Sequence, residues 1–386
     1  MDLTYSEADE QFRTEFRGWL DANLPAEWRA RGFWARQDRD EGFEMRREWE
    51  ASKARAGFAG IQWPTEFGGR GGTPAQRAIY DEEMVRYRAP LTVNGLGLTF
   101  LAPTIMVIGS DEQKRDIIKP LLHNEVIWCQ GFSEPNAGSD LAALQCRAES
   151  DGDEYVINGQ KIWTSQALHA DKMFGLFRTS TEDKKHRGIT MLIVDLKSPG
   201  VEIRPLKQMT GALDFGEVFF TDVRVPKTDV IGVEGGGWDV AMLLLSFERG
   251  ASAMPQYTAF RRELDDVIGL ARDLGKDKNA LLRQRIASSV VELECLKYHS
   301  LHILTQVEQG KELGAASSMT KLQWSETHQD IGELFADVAG IGHQITADGL
   351  DDLQRSFLWS RSETIWGGSS QVQRNIVAER VLGLPR

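Results

Sequence analysis

Residues 131–140 read Gly-Phe-Ser-Glu-Pro-Asn-Ala-Gly-Ser-Asp, and this is the most informative segment of the chain. Pro135 and Gly138 predict a loop rather than a helix or a strand. The small residues allow the backbone to approach a ligand closely, and the hydroxyl groups of Ser133 and Ser139 can donate hydrogen bonds to it. The alternative interpretation is an ordinary surface turn, because loops rich in Gly and Ser are common.

This loop opens a middle block of the chain that has the pattern of β-structure. From about Trp128 to Val230, short apolar runs alternate with Gly, Asp and Asn. Tyr155-Val156-Ile157 is followed by Asn158-Gly159, which predicts a tight hairpin with 161–164 as the partner strand. Further strands are predicted at 190–194, 201–203 and 217–220.

Helical patterns occupy both sides of the middle block. Ser6 precedes apolar residues at helical spacing, and Asp111-Glu112 suits the first turn of another helix. Gly235-Gly236-Gly237 marks the boundary after the β-block. The pattern beyond it predicts long helices at 238–260, 262–274, 279–309, 317–339 and 369–382.

Composition limits the classes of function. The chain has 386 residues and a formal net charge of −12, which argues against a nucleic-acid phosphate backbone as partner. Its three cysteines form no CxxC pair and its seven histidines show no metal-ligand spacing, so neither a disulfide framework nor a metal is expected. The beginning of the chain lacks a signal-peptide pattern, and glycines and Pro103 interrupt the apolar stretch 93–108. These features predict a cytoplasmic protein without a membrane span.

Two further segments carry candidate binding residues. Lys161-Ile162-Trp163-Thr164-Ser165 places a Trp beside hydroxyl residues, which suits one face and one edge of a planar aromatic cofactor. The segment 366–374 contains two glycines and two serines at a predicted helix start, where free N–H groups can hold an anion such as a pyrophosphate. Taken singly, each segment has an ordinary alternative, namely a core Trp in a sheet and a glycine hinge before a helix cap.

Together and in this order, the three segments resemble the acyl-CoA dehydrogenase family, and the resemblance covers essentially the whole chain. It implies an α+β fold with an N-terminal helical domain at 1–125, a middle β-barrel or sandwich domain at 126–233 and a C-terminal four-helix bundle at 234–386. It also implies FAD as cofactor and the dehydrogenation of an acyl-CoA thioester between Cα and Cβ to the trans-2-enoyl-CoA.

The resemblance also implies which residues contact the cofactor and the substrate. Ser133 and Ser165 match positions that hydrogen-bond the flavin ring, and Trp163 matches the residue that stacks on it. Ser139 and Arg249 are expected to contact the substrate. The full set of implied FAD contacts is Gln130, Phe132, Ser133, Gly138, Ser139, Trp163, Ser165, Gly368, Ser369 and Gln371.

The reaction needs a base for the α-proton, and the usual base of the family is a glutamate. Many members carry it immediately before the C-terminal glycine–serine turn, where this chain has Gly367, which cannot accept a proton. A subset carries it on an earlier helix, and the matching residue is Glu248. Leu244 and Leu245 precede Glu248 on one helix face, which predicts a desolvated carboxylate with a raised pKa. Without the resemblance, a solvated carboxylate or an ion pair with Arg249 is the better interpretation.

The chain departs from homotetrameric members where they reach the FAD of a neighbouring subunit. Their Arg-x-x-Phe-Gly segment corresponds to residues 271–276, which lack the Phe-Gly. Asp337 stands in place of a Gln, and an acidic group near a pyrophosphate would repel it. Two interpretations follow: a homotetramer with altered contacts, or an α2β2 heterotetramer in which a second acyl-CoA dehydrogenase subunit completes the cofactor site, as in steroid side-chain degradation.

The resemblance leaves the substrate and the electron acceptor open. Electron-transfer flavoprotein is the implied acceptor. The alternatives are an acyl-CoA oxidase that uses O₂ and a non-catalytic structural subunit of a heteromeric enzyme. The small residues of 94–98, where the family lines its acyl cavity, fit either a bulky, branched or steroid side-chain acyl group or close helix packing.

Overall fold

The structure is a computed structural model that describes residues 5–30, 32–34, 37, 39–249, 254–311, 314–346 and 349–385. For Glu248, Arg249 and Ala316 it describes the backbone alone. The chain divides into two compact units. One unit comprises Met1–Arg39, Gly72–Pro90 and Arg249–Arg386, and the other comprises Asp40–Gly71 and Leu91–Glu248.

The second unit is built on a single hydrogen-bonded sheet of eight strands. The strands are β1 (Trp128–Gly131), β2 (Arg147–Asp151), β3 (Glu154–Ser165), β4 (Lys172–Arg178), β5 (Ile189–Asp195), β6 (Val201–Leu206), β7 (Phe215–Pro226) and β8 (Val230–Ile231). Their order along the sheet is β6-β7-β3-β2-β4-β5-β8, and β1 pairs with β4.

Apolar side chains of the sheet pack against helices of the same unit. In β5, six of seven residues are buried, as expected for a strand covered on both faces. One core cluster joins Phe174 and Met191 of the sheet to Ile105, Leu121 and Leu244 from three helices. The helices of this unit are α2 (Arg39–Arg55), α4 (Ala102–Ile108), α5 (Asp111–Leu122) and α6 (Gly237–Arg249).

The predicted hairpin at Asn158-Gly159 is wrong. β3 runs through both residues without turning, and it pairs with β2 on one side and β7 on the other. The register against β7 shifts between Ile157 and Gly159, which marks a β-bulge. The Asn158 side chain exchanges hydrogen bonds at 3.0 Å with Asp222 on β7 in place of forming a turn.

The other unit is helical. It contains α1 (Glu7–Asn23), α3 (Pro74–Arg86), α7 (Met254–Asp273), α8 (Ala280–Glu308), α9 (Ser317–Ala339), α10 (Asp352–Glu363) and α11 (Ser370–Ile376). Apolar residues of α7, α8, α9 and α10 form one core cluster, with Leu264, Leu293 and Leu334 fully buried. The prediction for 317–339 is confirmed at both ends, whereas α10 was not predicted.

The α+β fold, with helical segments before and after a central sheet, is confirmed. The predicted domain boundaries at 125 and 233 stay a prediction. None of the helices among the described residues is long and apolar enough to cross a membrane.

Candidate active site

A buried ion pair fixes the 131–140 loop to strand β3. The Lys161 ammonium lies 2.7 Å from Glu134 Oε1 and donates to the carbonyl of Phe132 at 3.3 Å. Burial lowers the pKa of Lys161, while Glu134 opposes this effect. The two Glu134 oxygens also accept backbone N–H groups from Gln145 at 2.6 Å and Cys146 at 3.0 Å. Both oxygens of the Glu134 carboxylate therefore accept hydrogen bonds from groups of the protein itself.

Trp163 is presented to the surface by a strained stretch of backbone. Its φ is +58°, which lies in the left-handed region that a bulky residue rarely adopts. The register of β3 against β7 shifts between Lys161 and Thr164, so the strain coincides with a bulge. The indole is 59% exposed and makes one edge-to-face contact, with Phe215 at 5.9 Å. A large exposed aromatic in a strained conformation is typical of a ligand site.

Two half-buried hydroxyl groups lie near this indole. The backbone N–H of Ile162 donates to the carbonyl of Ser133 at 2.9 Å, which brings Ser133 beside the segment that carries Trp163 and Ser165. Neither serine side chain has a hydrogen-bond partner among the residues that the structure describes. Free hydroxyls beside an exposed indole fit the polar edge and the face of a flavin ring.

The other predicted contacts of the sheet unit differ in exposure. Gln130 lies on β1 and is half-buried. Phe132 is buried and packs edge-to-face on Phe174 at 6.2 Å, so its backbone is what it can offer to a ligand. Gly138 and Ser139 are exposed. A Cβ atom added at Gly138 would meet nothing within 4 Å, so the space beside this glycine is open.

The C-terminal glycine–serine turn lies in the helical unit. Gly367 and Gly368 have φ values of +63° and +88°, which only glycine adopts without strain. A Cβ atom at Gly368 would also overlap Gln373 Nε2, which donates to the Gly367 carbonyl at 2.9 Å. Ser369 caps α11 by accepting the N–H of Val372 at 3.3 Å. Gln371 is exposed on the first turn of α11.

The predicted base lies at the end of α6. The helix extends to Arg249, but the side chains of Glu248 and Arg249 lie outside the described part of the structure. Earlier residues define the inward face of the helix, because Val240, Ala241 and Leu244 are at most 5% exposed. Glu248 follows Ala241 and Leu244 at seven- and four-residue spacing, which places it in register with that face.

The segment 94–98 packs closely around its second glycine. Asn94 is fully buried, donates to the carbonyl of Val126 at 2.9 Å and accepts the N–H of Trp128 at 3.0 Å. A Cβ atom at Gly97 would lie 2.7 Å from Asn94 Oδ1 and 3.1 Å from Leu121 Cδ1. Of the two interpretations of these small residues, close packing therefore applies to Gly97.

A cavity of about 570 Å³ lies at the beginning of α6, in the sheet unit. Its walls come from the β4–β5 loop and from the segment that leads into the helix. Sequence reasoning missed it, although the charged run 182–187 was a visible signal. The lining residues are Thr179, Ser180, Glu182, His186, Arg187, Gly188, Glu234, Gly235, Trp238 and Asp239.

The order of helices, sheet and helices along the chain, the exposed indole beside free hydroxyls and the glycine–serine turn all agree with one family. Profiles of the N-terminal, middle and C-terminal domains of acyl-CoA dehydrogenases match residues 6–125, 129–223 and 235–382. The chain belongs to the acyl-CoA dehydrogenase family. It is an oxidoreductase whose cofactor is FAD, as predicted.

Individual relatives cover the chain from end to end. The acyl-CoA dehydrogenase IpdE1 of Mycobacterium tuberculosis is 42% identical over 379 residues, which is 98% of each chain. A solved structure described as the Tcur3481-Tcur3483 steroid ACAD is 30% identical, with full coverage of both chains and a TM-score of 0.87. The ChsE4-ChsE5 complex from Mycobacterium tuberculosis is 29% identical, with full coverage and a TM-score of 0.84.

The structure therefore brings together one part of the predicted site. Gln130, Ser133, Trp163 and Ser165 lie on neighbouring segments of one sheet. Gly368, Ser369 and Gln371 lie together on a turn of the other unit. The roles assigned to these residues stay predictions.

Proposed function

We propose that this chain dehydrogenates an acyl-CoA thioester between Cα and Cβ, with Glu248 as the base that removes the α-proton. The observation that carries the proposal is the buried face of α6, where Ala241 and Leu244 are 0% exposed and lead in register to Glu248. Gly367 occupies the alternative position of the base and has no side chain. A carboxylate on an apolar helix face binds a proton more readily than one in water, as a general base requires.

The residues of the chain have separate tasks in this reaction. When bound, FAD supplies the acceptor for the hydride that leaves Cβ. Trp163 and the free hydroxyls of Ser133 and Ser165 would hold the flavin ring. Glu248 takes the α-proton on its carboxylate.

Replacement of the base tests the proposal. Glu248→Gln should lower the rate of flavin bleaching by an acyl-CoA by about 10²- to 10⁴-fold while FAD content stays the same. Glu292→Gln, at an exposed acid on α8, is the matched control and should change neither quantity. Unchanged bleaching in Glu248→Gln would contradict the assignment and favour a structural subunit.

A second variant tests whether a carboxylate at position 367 can take over the role of the base. Gly367→Glu introduced into the Glu248→Gln enzyme places a carboxylate at the position that many family members use. The backbone there has φ +63°, so a side chain costs about 1 kcal/mol of strain, which the fold can tolerate. Partial recovery of bleaching would show that Glu248 acts as a proton acceptor and not as a structural carboxylate.

The cavity at the beginning of α6 is the proposed seat of the nucleotide end of CoA. Trp238 borders it, and Glu248 follows on the same helix ten residues later, about 15 Å along the axis. An extended pantetheine arm bridges such a span. Arg187 offers positive charge to phosphates, although the acidic residues Glu182, Glu234 and Asp239 also line the walls. Arg187→Ala should raise KM for acyl-CoA and leave kcat unchanged.

The proposed assembly is a heteromer with a second acyl-CoA dehydrogenase subunit. At the end of α9, Asp337 forms an ion pair with Arg285, and Lys276 donates to the carbonyl of Val338 at 2.6 Å. These charges therefore bind within the chain, where the resemblance implies contacts to a neighbouring FAD. The relative at 29% identity is itself a complex of two named chains. Full FAD loading and turnover in a homotetramer of the purified chain would contradict the heteromer.

The proposed substrate is a steroid side-chain or similarly bulky acyl-CoA, and the proposed acceptor is electron-transfer flavoprotein in the cytoplasm. The substrate rests on a relative described as a steroid ACAD, because the packing around Gly97 gives it no support. A panel of acyl-CoA thioesters scored by flavin bleaching tests it, and preference for short straight chains would contradict it. Stoichiometric release of hydrogen peroxide during turnover would identify an oxidase instead.

A further inference from the structure

A buried cluster of charged side chains joins three helices of the C-terminal bundle. His328 of α9 lies between Glu363 at the end of α10 and Glu263 of α7, at 2.5 Å from Nδ1 and 3.0 Å from Nε2. Ser356 of α10 lies 2.8 Å from both His328 Nε2 and Glu263 Oε2. Phe260 stacks on the imidazole with ring centroids 4.1 Å apart. The His328 side chain is 5% exposed and that of Glu363 is 7% exposed.

The geometry defines the state of the histidine. Both ring nitrogens face carboxylate oxygens, which accept and do not donate, so both nitrogens carry protons. Burial alone would lower the pKa of His328, but the hydrogen bonds to Glu263 and Glu363 outweigh this effect and raise the pKa to about 9. An imidazolium with two carboxylates is a strong connection because its hydrogen bonds are charge-assisted at both ends.

This cluster ends at the residue that leads into the glycine–serine turn. Glu363 is the last residue of α10, and its carbonyl accepts the Lys321 ammonium of α9 at 2.5 Å. Gln329 donates to Thr364 Oγ1 at 2.9 Å. Trp324 of α9 packs on Trp366 with ring centroids 5.6 Å apart. Residues 321, 324, 328 and 329 of α9 therefore contact the end of α10 and the beginning of the turn that follows it.

We propose that His328 is a positioning residue, which ties the end of α10 to α7 and α9 and so sets the conformation of the turn at 364–369. The inference rests on the proposed function in so far as this turn contacts FAD. It explains why a cation is buried between three packed helices, where charged side chains are rare unless they are paired. His328 acts through the Glu363 carboxylate and the backbone that follows it.

The test uses the full-length flavin-loaded chain with any partner chain that copurifies. The variants are His328→Ala and the isosteric Glu363→Gln, which breaks the same connection if the first does not fold. The control is His299→Ala, because His299 of α8 bonds Gln323 of α9 and, within the described residues, has no hydrogen bond to α10. Amide hydrogen exchange of the 363–376 peptide and the Kd for FAD after deflavination are measured for each, with His328→Lys as a rescue variant that restores a cation.

Exchange in the 363–376 peptide should become about tenfold faster in His328→Ala and Glu363→Gln than in His299→Ala. The Kd for FAD should rise about tenfold, and His328→Lys should recover part of both effects. Unchanged exchange in this peptide, or equal changes in His299→Ala, would overturn the inference. Faster exchange with an unchanged Kd would uphold the positioning of the turn and count against its assignment to FAD.

Discussion

Two buried ion clusters anchor the two candidate cofactor segments, and they are built on different plans. In the sheet unit, Lys161 and Glu134 form one pair of opposite charges, and two backbone N–H groups donate further hydrogen bonds to the carboxylate. In the helical unit, His328 stands between Glu263 and Glu363, so the cluster has one more negative charge than positive. The first cluster pairs a lysine with one carboxylate, whereas the second depends on a histidine, whose charge in the folded protein is held by its two carboxylate neighbours.

The largest expected effect breaks the Lys161–Glu134 pair. Glu134→Ala leaves a fully buried ammonium without its counter-charge and frees two backbone N–H groups, which should cost about 3 to 5 kcal/mol. The thermal midpoint should fall by several degrees, and FAD should be lost because the 131–140 loop is released from β3. Glu202→Ala removes an exposed partner of Arg204 in the same sheet and should change the midpoint little. Equal effects of the two variants would contradict the anchoring role.

The second prediction concerns pH and the other cluster. The folded pKa of His328 is about 9, above its unfolded value of 6.5. The stability that the charged imidazole contributes is therefore fully present below pH 6.5 and is lost as the pH rises through 9, and its full size is on the order of 3 kcal/mol. Glu263 of α7 and Glu363 of α10 face the ring, with Lys321 of α9 on the Glu363 carbonyl.

Unfolding of the wild type and of His328→Gln, followed by circular dichroism between pH 6 and 10, measures this difference. The gap in unfolding free energy between the two proteins should narrow as the pH rises. A gap that stays constant across this window would show that the imidazole is not charged in the folded state. His299→Ala serves as the reference for a histidine outside the cluster.

The same contrast explains what the sequence could reveal about the site. Glu134 and Lys161 belong to the segments that carry the family resemblance, so the sequence already placed both residues in candidate cofactor segments. Glu263, His328 and Glu363 are separated by 65 and 35 residues and form no motif, so only the packing of three helices brings them together. Likewise the cavity beside Trp238 arises from two loops that are far apart in the chain.

Elements of the fold could be predicted where the local sequence pattern was strong and where no neighbouring element altered the outcome. α9 was predicted at both ends because a long apolar period specifies a helix without reference to its neighbours. Asn158-Gly159 carried a strong hairpin signal, but β7 competed for the strand and a bulge resulted. The strained backbone of Trp163 had no local signal, since nothing in the sequence marks a bulky residue at positive φ.

The third prediction compares glycines in the two anchored segments. Gly368→Ala places a side chain at φ +88° and against Gln373, so we expect a loss of about 1 to 2 kcal/mol and weaker FAD binding. Gly138→Ala meets open space and should leave the thermal midpoint within about 1 °C of the wild type. Equal destabilisation by both changes would mean that the turn at 367–369 is no more constrained than the exposed loop.

The smallest expected effect combines two opposing contributions to stability. Trp163→Gly relieves a left-handed conformation that costs a bulky residue about 1 kcal/mol, and it removes one edge contact with Phe215 from an indole that is 59% exposed. A glycine also has more conformational freedom in the unfolded chain, which offsets the relieved strain, so the free energy of unfolding of the flavin-free protein should change by less than about 1 kcal/mol. FAD affinity should fall, because the flavin ring loses the indole that would cover one of its faces.

Thermal melts and FAD titrations compare Trp163→Gly with Trp163→Phe, which keeps an aromatic ring and the strained backbone. The comparison separates the effect of the strain from the effect of the aromatic ring. A variant that loses stability but keeps its affinity for FAD would show that the backbone strain at residue 163 serves packing in the sheet and not the binding of the cofactor.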